Sequence, residues 1–286
     1  MKKLNIIGIR RGNLYSPNHI GNDAAIFNLT VELLKAKGCE VTEYTETEFQ
    51  NISTIQADAI FNMARDFRTI SKLQEVEDQG IKVINSGYGI QNCMRANMTH
   101  LMLENNIPHP QSLIVSTDEP LPDDVAFLGK SCWVKRGDSH AIHREDVTYA
   151  KNGELAESII QEYALRGIPT AVINEHLLGD LIKFYGITGT DFFHWFYSDD
   201  LNYSKFGLEA INGKPKRMPF DESYLKNISK KASQIMKTPI YGGDCIVDDK
   251  GNIRIIDFND WPSFAPCRNE AAPNIAQCIY DYARKD

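Results

Sequence analysis

The sequence predicts an α/β domain built on a parallel sheet, followed by two α+β lobes. Three observations predict it. Short apolar runs recur through residues 1–90 with helical segments between them, the pattern of strands that run side by side in a parallel sheet. The rest of the chain is richer in short strands and carries only a few helices. Near the C-terminus, two strand-like runs joined by a tight turn carry carboxylates where an apolar strand would normally carry none.

Residues 4–9 form a short apolar run that ends in Arg10, Arg11 and Gly12, and read as a buried first strand. Residues 13–22 are polar, with Pro17 and Gly21, and read as a loop; Asp23 is suited to cap the helix predicted over 24–37, which Gly38 ends. Residues 40–44, 57–62 and 81–85 supply three more strands, giving a first domain over 1–90. A helix over 92–104 opens the middle lobe, 91–176. Strands at 112–116, 132–136, 146–150 and 171–175 follow, with a helix at 153–165. The last lobe, 177–286, has strands at 181–187, 191–197, 240–247 and 253–258, and helices at 223–236 and 271–283.

At 286 residues the chain is long enough for two or three compact units. With 42% hydrophobic and 24% charged residues it is not a disordered chain. Its formal charge is −7, and its basic residues gather only in short clusters at 214–217 and 226–231, which argues against a nucleic-acid partner. No run approaches the length of a membrane span and no signal-peptide pattern follows the first residues, so no membrane partner and a cytoplasmic location are expected. None of the six cysteines lies in a Cys-x-x-Cys pair, as expected of free thiols in a reducing compartment. Neither a monomer nor a homodimer is favoured by any apolar surface stripe.

The hairpin is the most informative stretch. It runs Tyr241-Gly242-Gly243-Asp244-Cys245-Ile246-Val247, turns at 248–251, and ends Ile255-Ile256-Asp257-Phe258-Asn259-Asp260-Trp261-Pro262. Side chains alternate faces along a strand, so Asp257 and Asn259 are expected to share a face with Ile253 and Ile255, with Asp244 brought opposite by pairing. Carboxylates within an apolar strand are costly unless compensated. A Mg²⁺ ion removes that cost, because it takes oxygen ligands from one or two carboxylates and completes its shell with phosphate oxygens. Acidic residues that simply face water are the alternative.

On these residues the chain resembles the ATP-grasp enzymes, which place an acid on one strand and acid-x-Asn on the next, with a proline shortly after. The resemblance implies Asp244, Asp257 and Asn259 as metal ligands, with Asp257 standing where many relatives have Glu. It further implies Lys135, at the end of the run Cys132-Trp133-Val134-Lys135, as a phosphate-binding lysine, followed by a covering loop at 137–143 that contains Ser139 and only one glycine. The link 172–180 resembles the segment that cradles adenosine, which implies Glu175, Leu177 and Asp180 as nucleotide contacts. Lys183 matches a basic residue near the transferred phosphate, and Arg95 stands where the family often has another lysine.

The fold so implied is an α/β N-terminal domain followed by an ATP-grasp pair of α+β lobes. The cofactors implied are ATP and Mg²⁺, as one or two ions, with Mn²⁺ as a substitute. The activity implied is a carboxylate–amine or carboxylate–thiol ligase that works through an acyl phosphate on an amino acid, a peptide or a small metabolite, so its partners are small carboxylates and amines. A small-molecule kinase on the same fold and a non-catalytic nucleotide-binding protein are the alternatives. Arg10, Arg11 and Arg65 follow strands of the first domain and are expected to meet a substrate carboxylate or phosphate. Arg268 is expected to join them and, with Lys183, to act in catalysis. His140 and His143 are expected in the phosphate-covering loop, and Trp261 is expected to wall the pocket.

Overall fold

In the computed structural model of the chain, residues 3–16, 19–122, 129–200, 211 and 213–285 are described. Pro17, part of the expected loop, lies outside them. Three four-stranded sheets succeed one another along the chain.

The first sheet has β1 (Asn5–Ile9), β2 (Glu40–Tyr44), β3 (Ala59–Asn62) and β4 (Lys82–Ile84) in the order β2-β1-β3-β4, all parallel. Buried on both faces, β1 reads as an unbroken apolar run. Ile7 and Ile9 pack with Ile70, Leu73 and Val76 of α3 (Phe67–Asp78), while Ile6 packs on the other face with Ile26 and Phe27 of α1 (Ile20–Ala36). Between them in sequence lies α2 (Glu46–Gln50), opened by a capping box of Thr45 and Glu48.

The second sheet is antiparallel, in the order β5-β8-β6-β7: β5 (Ser112–Ser116), β6 (Cys132–Arg136), β7 (Val147–Ala150) and β8 (Thr170–Glu175). It is backed by helix Gly153–Leu165, whose Ile159, Ile160 and Tyr163 pack on Val134 and Ile173. The third sheet is also antiparallel, in the order β10-β9-β11-β12: β9 (Asp180–Ile187), β10 (Phe193–Tyr197), β11 (Ile240–Val247) and β12 (Ile253–Asp260). Its core face packs Ile182, Phe184, Cys245, Ile255 and Phe258 against helix Arg95–Glu104 and helix Glu222–Met236.

The last helix, Arg268–Arg284, returns to the first sheet. Ile275 and Ile279 bury against Ile26, Phe27 and Phe61, and the Trp261 ring stacks on Phe61 with centroids 5.9 Å apart. The end of β12 and the C-terminal helix are thus anchored on the N-terminal sheet by aromatic and aliphatic burial, contacts worth about 1.5–3 kcal/mol per fully buried side chain.

Two expectations are corrected. Helix α1 starts at Ile20, earlier than 24, and Asp23 lies inside its first turn, paired to Arg11 instead of capping. The helix expected over 92–104 starts at Arg95, because Met94 leaves the helical region at φ −62°, ψ 138°, and a separate short helix, Gly87–Asn92, precedes it.

Candidate active site

The site lies on one face of the third sheet. Lys183 of β9 pairs across to Asp244 of β11, and Asp244 pairs to Asp257 of β12, so the three side chains form one row over three strands. Asn259 follows, opposite Gly242. Simple alternation would have put Asp257 on the face of Ile253 and Ile255, which are buried in the core. A β-bulge prevents this. Asp244 opposes Asp257 while Cys245 opposes Ile255, so Ile256 is an extra residue and the alternation shifts there. Ile253, Ile255 and Phe258 stay in the core, and Asp257 and Asn259 turn to the cleft; bulges at active sites commonly re-aim a side chain in this way. Gly243 permits the close strand approach, since a Cβ there would sit 2.4 Å from the Asp257 carbonyl oxygen.

Opposite this face stand cations from the middle segment. Lys135, at the end of β6, is buried and its Nζ donates to the Ile256 carbonyl, the bulge itself, at 3.2 Å. Arg95 Nη1 is 3.2 Å from Asp257 Oδ1, and Lys183 Nζ is 3.2 Å from Asp244 Oδ1. Burial and the neighbouring Arg95 push the Lys135 ammonium down to about 7, with Asp257 and Asp244 opposing. Burial would raise the Asp257 carboxyl, but Arg95, Lys135 and His140 outweigh it and hold it below the usual range.

A cavity of about 320 Å³ opens between these walls. Twelve of the expected residues line it: Arg95, Lys135, Glu175, Leu177, Lys183, Asp244, Asp257 and Asn259 from the nucleotide and metal expectations, and Arg11, Arg65, His140 and Trp261 beside them. Glu175 Oε1 accepts from Arg254 Nη1 at 3.0 Å and from the Gln111 amide at 2.8 Å, which fixes the link between the second and third sheets.

Three expected residues are turned elsewhere. Asp180 is buried and accepts from the Lys216 and Met218 amides at 2.6 and 2.7 Å, holding a loop. Ser139 Oγ donates to the His140 carbonyl. Arg268 opens the last helix and donates from Nη2 to Asn22 at 2.8 Å. None of the three lines the cavity. Arg10, also expected at the substrate, is paired with Glu43 and stacked over Phe27. Cys267 likewise stays out of the cavity, and burial pushes its thiol up to about 12.

Sequence reasoning did not single out Asp23 or Asp260 as part of the site. Both are buried, both line the cavity, and both are paired with arginines of the N-terminal segment, Asp23 with Arg11 and Asp260 with Arg65. The Arg65–Asp260 pair spans 195 residues and the Arg11–Asp23 pair 12, so neither leaves a local pattern to read. His140, from the loop after β6, reaches across to 3.4 Å from Asp260, and burial together with Arg65 lowers its imidazole to about 4. Trp261 lines the cavity as expected.

The donor set fits a hard divalent cation. Two carboxylates and an amide oxygen share one face, and such an ion fills its remaining positions with phosphate oxygens and water. Among the described residues no group of three or more His, Cys, Asp or Glu side chains is placed to hold a metal.

The fold joins a parallel α/β unit to two antiparallel lobes, with a cleft lined by residues of all three. No family model and no curated protein sequence matches the chain. Solved structures do match over its whole length. D-alanine–D-alanine ligase from Bacillus anthracis complexed with ATP superposes with a TM-score of 0.70 at 14% identity, covering 98% of this chain and 97% of that one. A RimK domain ATP-grasp protein from Sphaerobacter thermophilus gives 0.70 at 11% identity, covering 98% and 99%. The ATP-grasp ligase PsnB, complexed with a variant of its minimal precursor, Mg and ADP, gives 0.62 at 14%, covering 98% of each chain. The fold is that of the ATP-grasp ligases.

Proposed function

We propose that this chain is a cytoplasmic ATP- and Mg²⁺-dependent ligase that joins a carboxylate to an amine through an acyl phosphate. The observation that carries the reading is the row Lys183–Asp244–Asp257, with Asn259 beside it, facing Arg95 and Lys135 across one cavity. Oxygen atoms able to hold a cation, next to positive groups able to meet a polyphosphate, support that reading. The same fold holds ATP in the Bacillus anthracis ligase, and Mg and ADP in PsnB, which supports the reading.

Asp244, Asp257 and Asn259 would hold Mg²⁺, which supplies neutralisation of phosphate charge. Arg95 and Lys183 are each matched at 3.2 Å to a carboxylate that a metal ion would claim, and both can then turn to phosphate oxygens. Lys135, held near 7 by burial and Arg95, is only partly protonated at neutral pH, and phosphate oxygens beside it would favour its charged form. Glu175 and Leu177 take the adenosine side. In the first step a substrate carboxylate oxygen bonds to the γ-phosphorus and the bond to ADP breaks. In the second the amine bonds to the acyl carbon, loses a proton, and inorganic phosphate leaves. Enclosure between the lobes protects the acyl phosphate from water.

The test is incubation with ATP, MgCl₂ and pooled carboxylates and amines, followed by mass spectrometry. The expected result is ADP and inorganic phosphate in equal amounts with a new amide. ADP with a stable phosphorylated product and no inorganic phosphate makes the protein a kinase instead. ATP binding with no turnover under any pool contradicts an enzyme.

A further inference from the structure

At the end of the cleft nearest the parallel sheet, two arginine–aspartate pairs lie together, and their hydrogen bonds are unevenly spent. Arg11 donates from Nε to the Met63 carbonyl at 3.1 Å, from Nη1 to Asp23 Oδ2 at 3.2 Å, and from Nη2 to the Trp261 carbonyl at 2.9 Å. Arg65 donates to Asp260 Oδ2, to the Asp260 carbonyl at 3.0 Å and to the Ala64 carbonyl at 3.3 Å. Neither guanidinium has a buried nitrogen left without a partner. The carboxylates differ. Asp23 Oδ1 is buried with no hydrogen-bond partner, and Asp260 Oδ1 is buried with only His140 Nε2 near it, at a long 3.4 Å; the two side chains are 8% and 1% exposed. Both residues line the cavity.

A buried carboxylate oxygen without a donor carries its full desolvation cost. This end of the cleft therefore holds fewer donors than its two carboxylates can use: Asp23 Oδ1 has none, and Asp260 Oδ1 has only the distant His140. A carboxylate or phosphate from a substrate would meet arginines already engaged and two anionic oxygens. A protonated amine brings up to three N–H donors and the opposite charge, which makes each bond charge-assisted.

We infer that this end of the cleft is a subsite for a substrate's ammonium group, with Asp23 and Asp260 as the specificity-determining residues and Arg11 and Arg65 as their fixed counter-ions. The inference rests on the ligase reading, which assigns the other end of the cavity to the nucleotide. It also reverses the sequence expectation that Arg11 and Arg65 meet a substrate carboxylate: the substrates selected here carry a cationic amino group.

Two probes of equal charge test it. Ethylammonium chloride offers N–H donors and tetramethylammonium chloride offers none. Their dissociation constants are measured on the full chain by NMR titration at matched ionic strength. The expected preference for ethylammonium is at least about fivefold, the mark of charge-assisted hydrogen bonds, and it disappears in Asp23→Asn and in Asp260→Asn. If a single variant does not fold, the double variant Arg65→Met with Asp260→Leu, which removes the pair whole, is expected to lose the preference too. Equal affinity of the two cations for the wild type, or a preference that persists in the variants, overturns the subsite. A nonhydrolysable ATP analogue with Mg²⁺ is titrated into the same samples. Nucleotide binding without amine preference sinks the subsite alone; amine preference without nucleotide binding sinks the ligase reading alone.

Discussion

The two ends of the cavity use the same residue types to opposite purposes. At the end beside β9–β12, Arg95 and Lys183 each reach a carboxylate at 3.2 Å, and Lys135 reaches the bulge carbonyl. At the other end, Arg11 and Arg65 are tied to carboxylates and also to the main-chain carbonyls of Met63, Ala64, Asp260 and Trp261. A cation tied to backbone is part of the frame. On the proposed ligase reading, a cation matched to a carboxylate that would take a metal ion can exchange partners when phosphate and metal arrive. Positive charge in a cleft therefore says little about ligands until its partners are counted.

The comparison breaks most visibly if the frame arginines prove dispensable. Arg65→Met leaves Asp260 buried and uncompensated, and is expected to cost about 3–5 kcal/mol in urea unfolding. Adding Asp260→Leu is expected to recover most of it, whereas Lys183→Met at the other end shifts stability by less than about 1 kcal/mol. A comparable loss in both single variants would erase the distinction.

Next in size is the metal row. Asp257→Asn and Asn259→Ala are expected to lower Mg²⁺-dependent turnover by roughly 100-fold or more, with the urea midpoint nearly unmoved. Unfolding that matches the loss of activity would mean the row is structural.

A smaller effect comes from His140. Its folded value of about 4 lies below the 6.5 of the free side chain. Between these values the unfolded chain binds the proton and the folded chain does not, so stability rises with pH through this window and falls on acidification. The expected loss is roughly 2 kcal/mol from pH 6.5 to 4. His109, lowered to about 3 by burial, acts in the same direction, so His140→Gln flattens the curve without abolishing it.

The smallest expected signal is proton uptake. With Lys135 near 7, it is mostly neutral at pH 8, and phosphate oxygens beside it favour its charged form. Calorimetry of ATP-analogue binding at pH 8, in two buffers of different ionisation enthalpy, should show uptake approaching ~0.9 proton, absent in Lys135→Met.

Much of the site was legible in the sequence because its signals are local. Asp257-x-Asn259 sits within one strand, Lys135 closes another, and both reach the cavity. The bulge at Ile256 was not legible: it is a property of pairing register, and the strand's own alternation points Asp257 to the wrong face. Strand β12 also runs on to Asp260, beyond the expected end at 258, which makes Asn259 and Asp260 strand residues. Asp180, Ser139 and Arg268 show the other limit. Their residue types match a ligand role, yet nearer partners in the fold take them: two loop amides, a neighbouring carbonyl and Asn22. The arginines were rightly placed at strand ends, but Asp23 and Asp260 engage them through contacts that only the folded chain creates.

The most direct test of the central claim is calorimetric titration of a nonhydrolysable ATP analogue into the wild type and into Asp257→Asn, each with and without Mg²⁺. The expected result is that Mg²⁺ tightens binding to the wild type by at least about tenfold and adds nothing in the variant. Equal affinity with and without Mg²⁺ in the wild type, or an undiminished Mg²⁺ effect in Asp257→Asn, would contradict a cation held by the final hairpin.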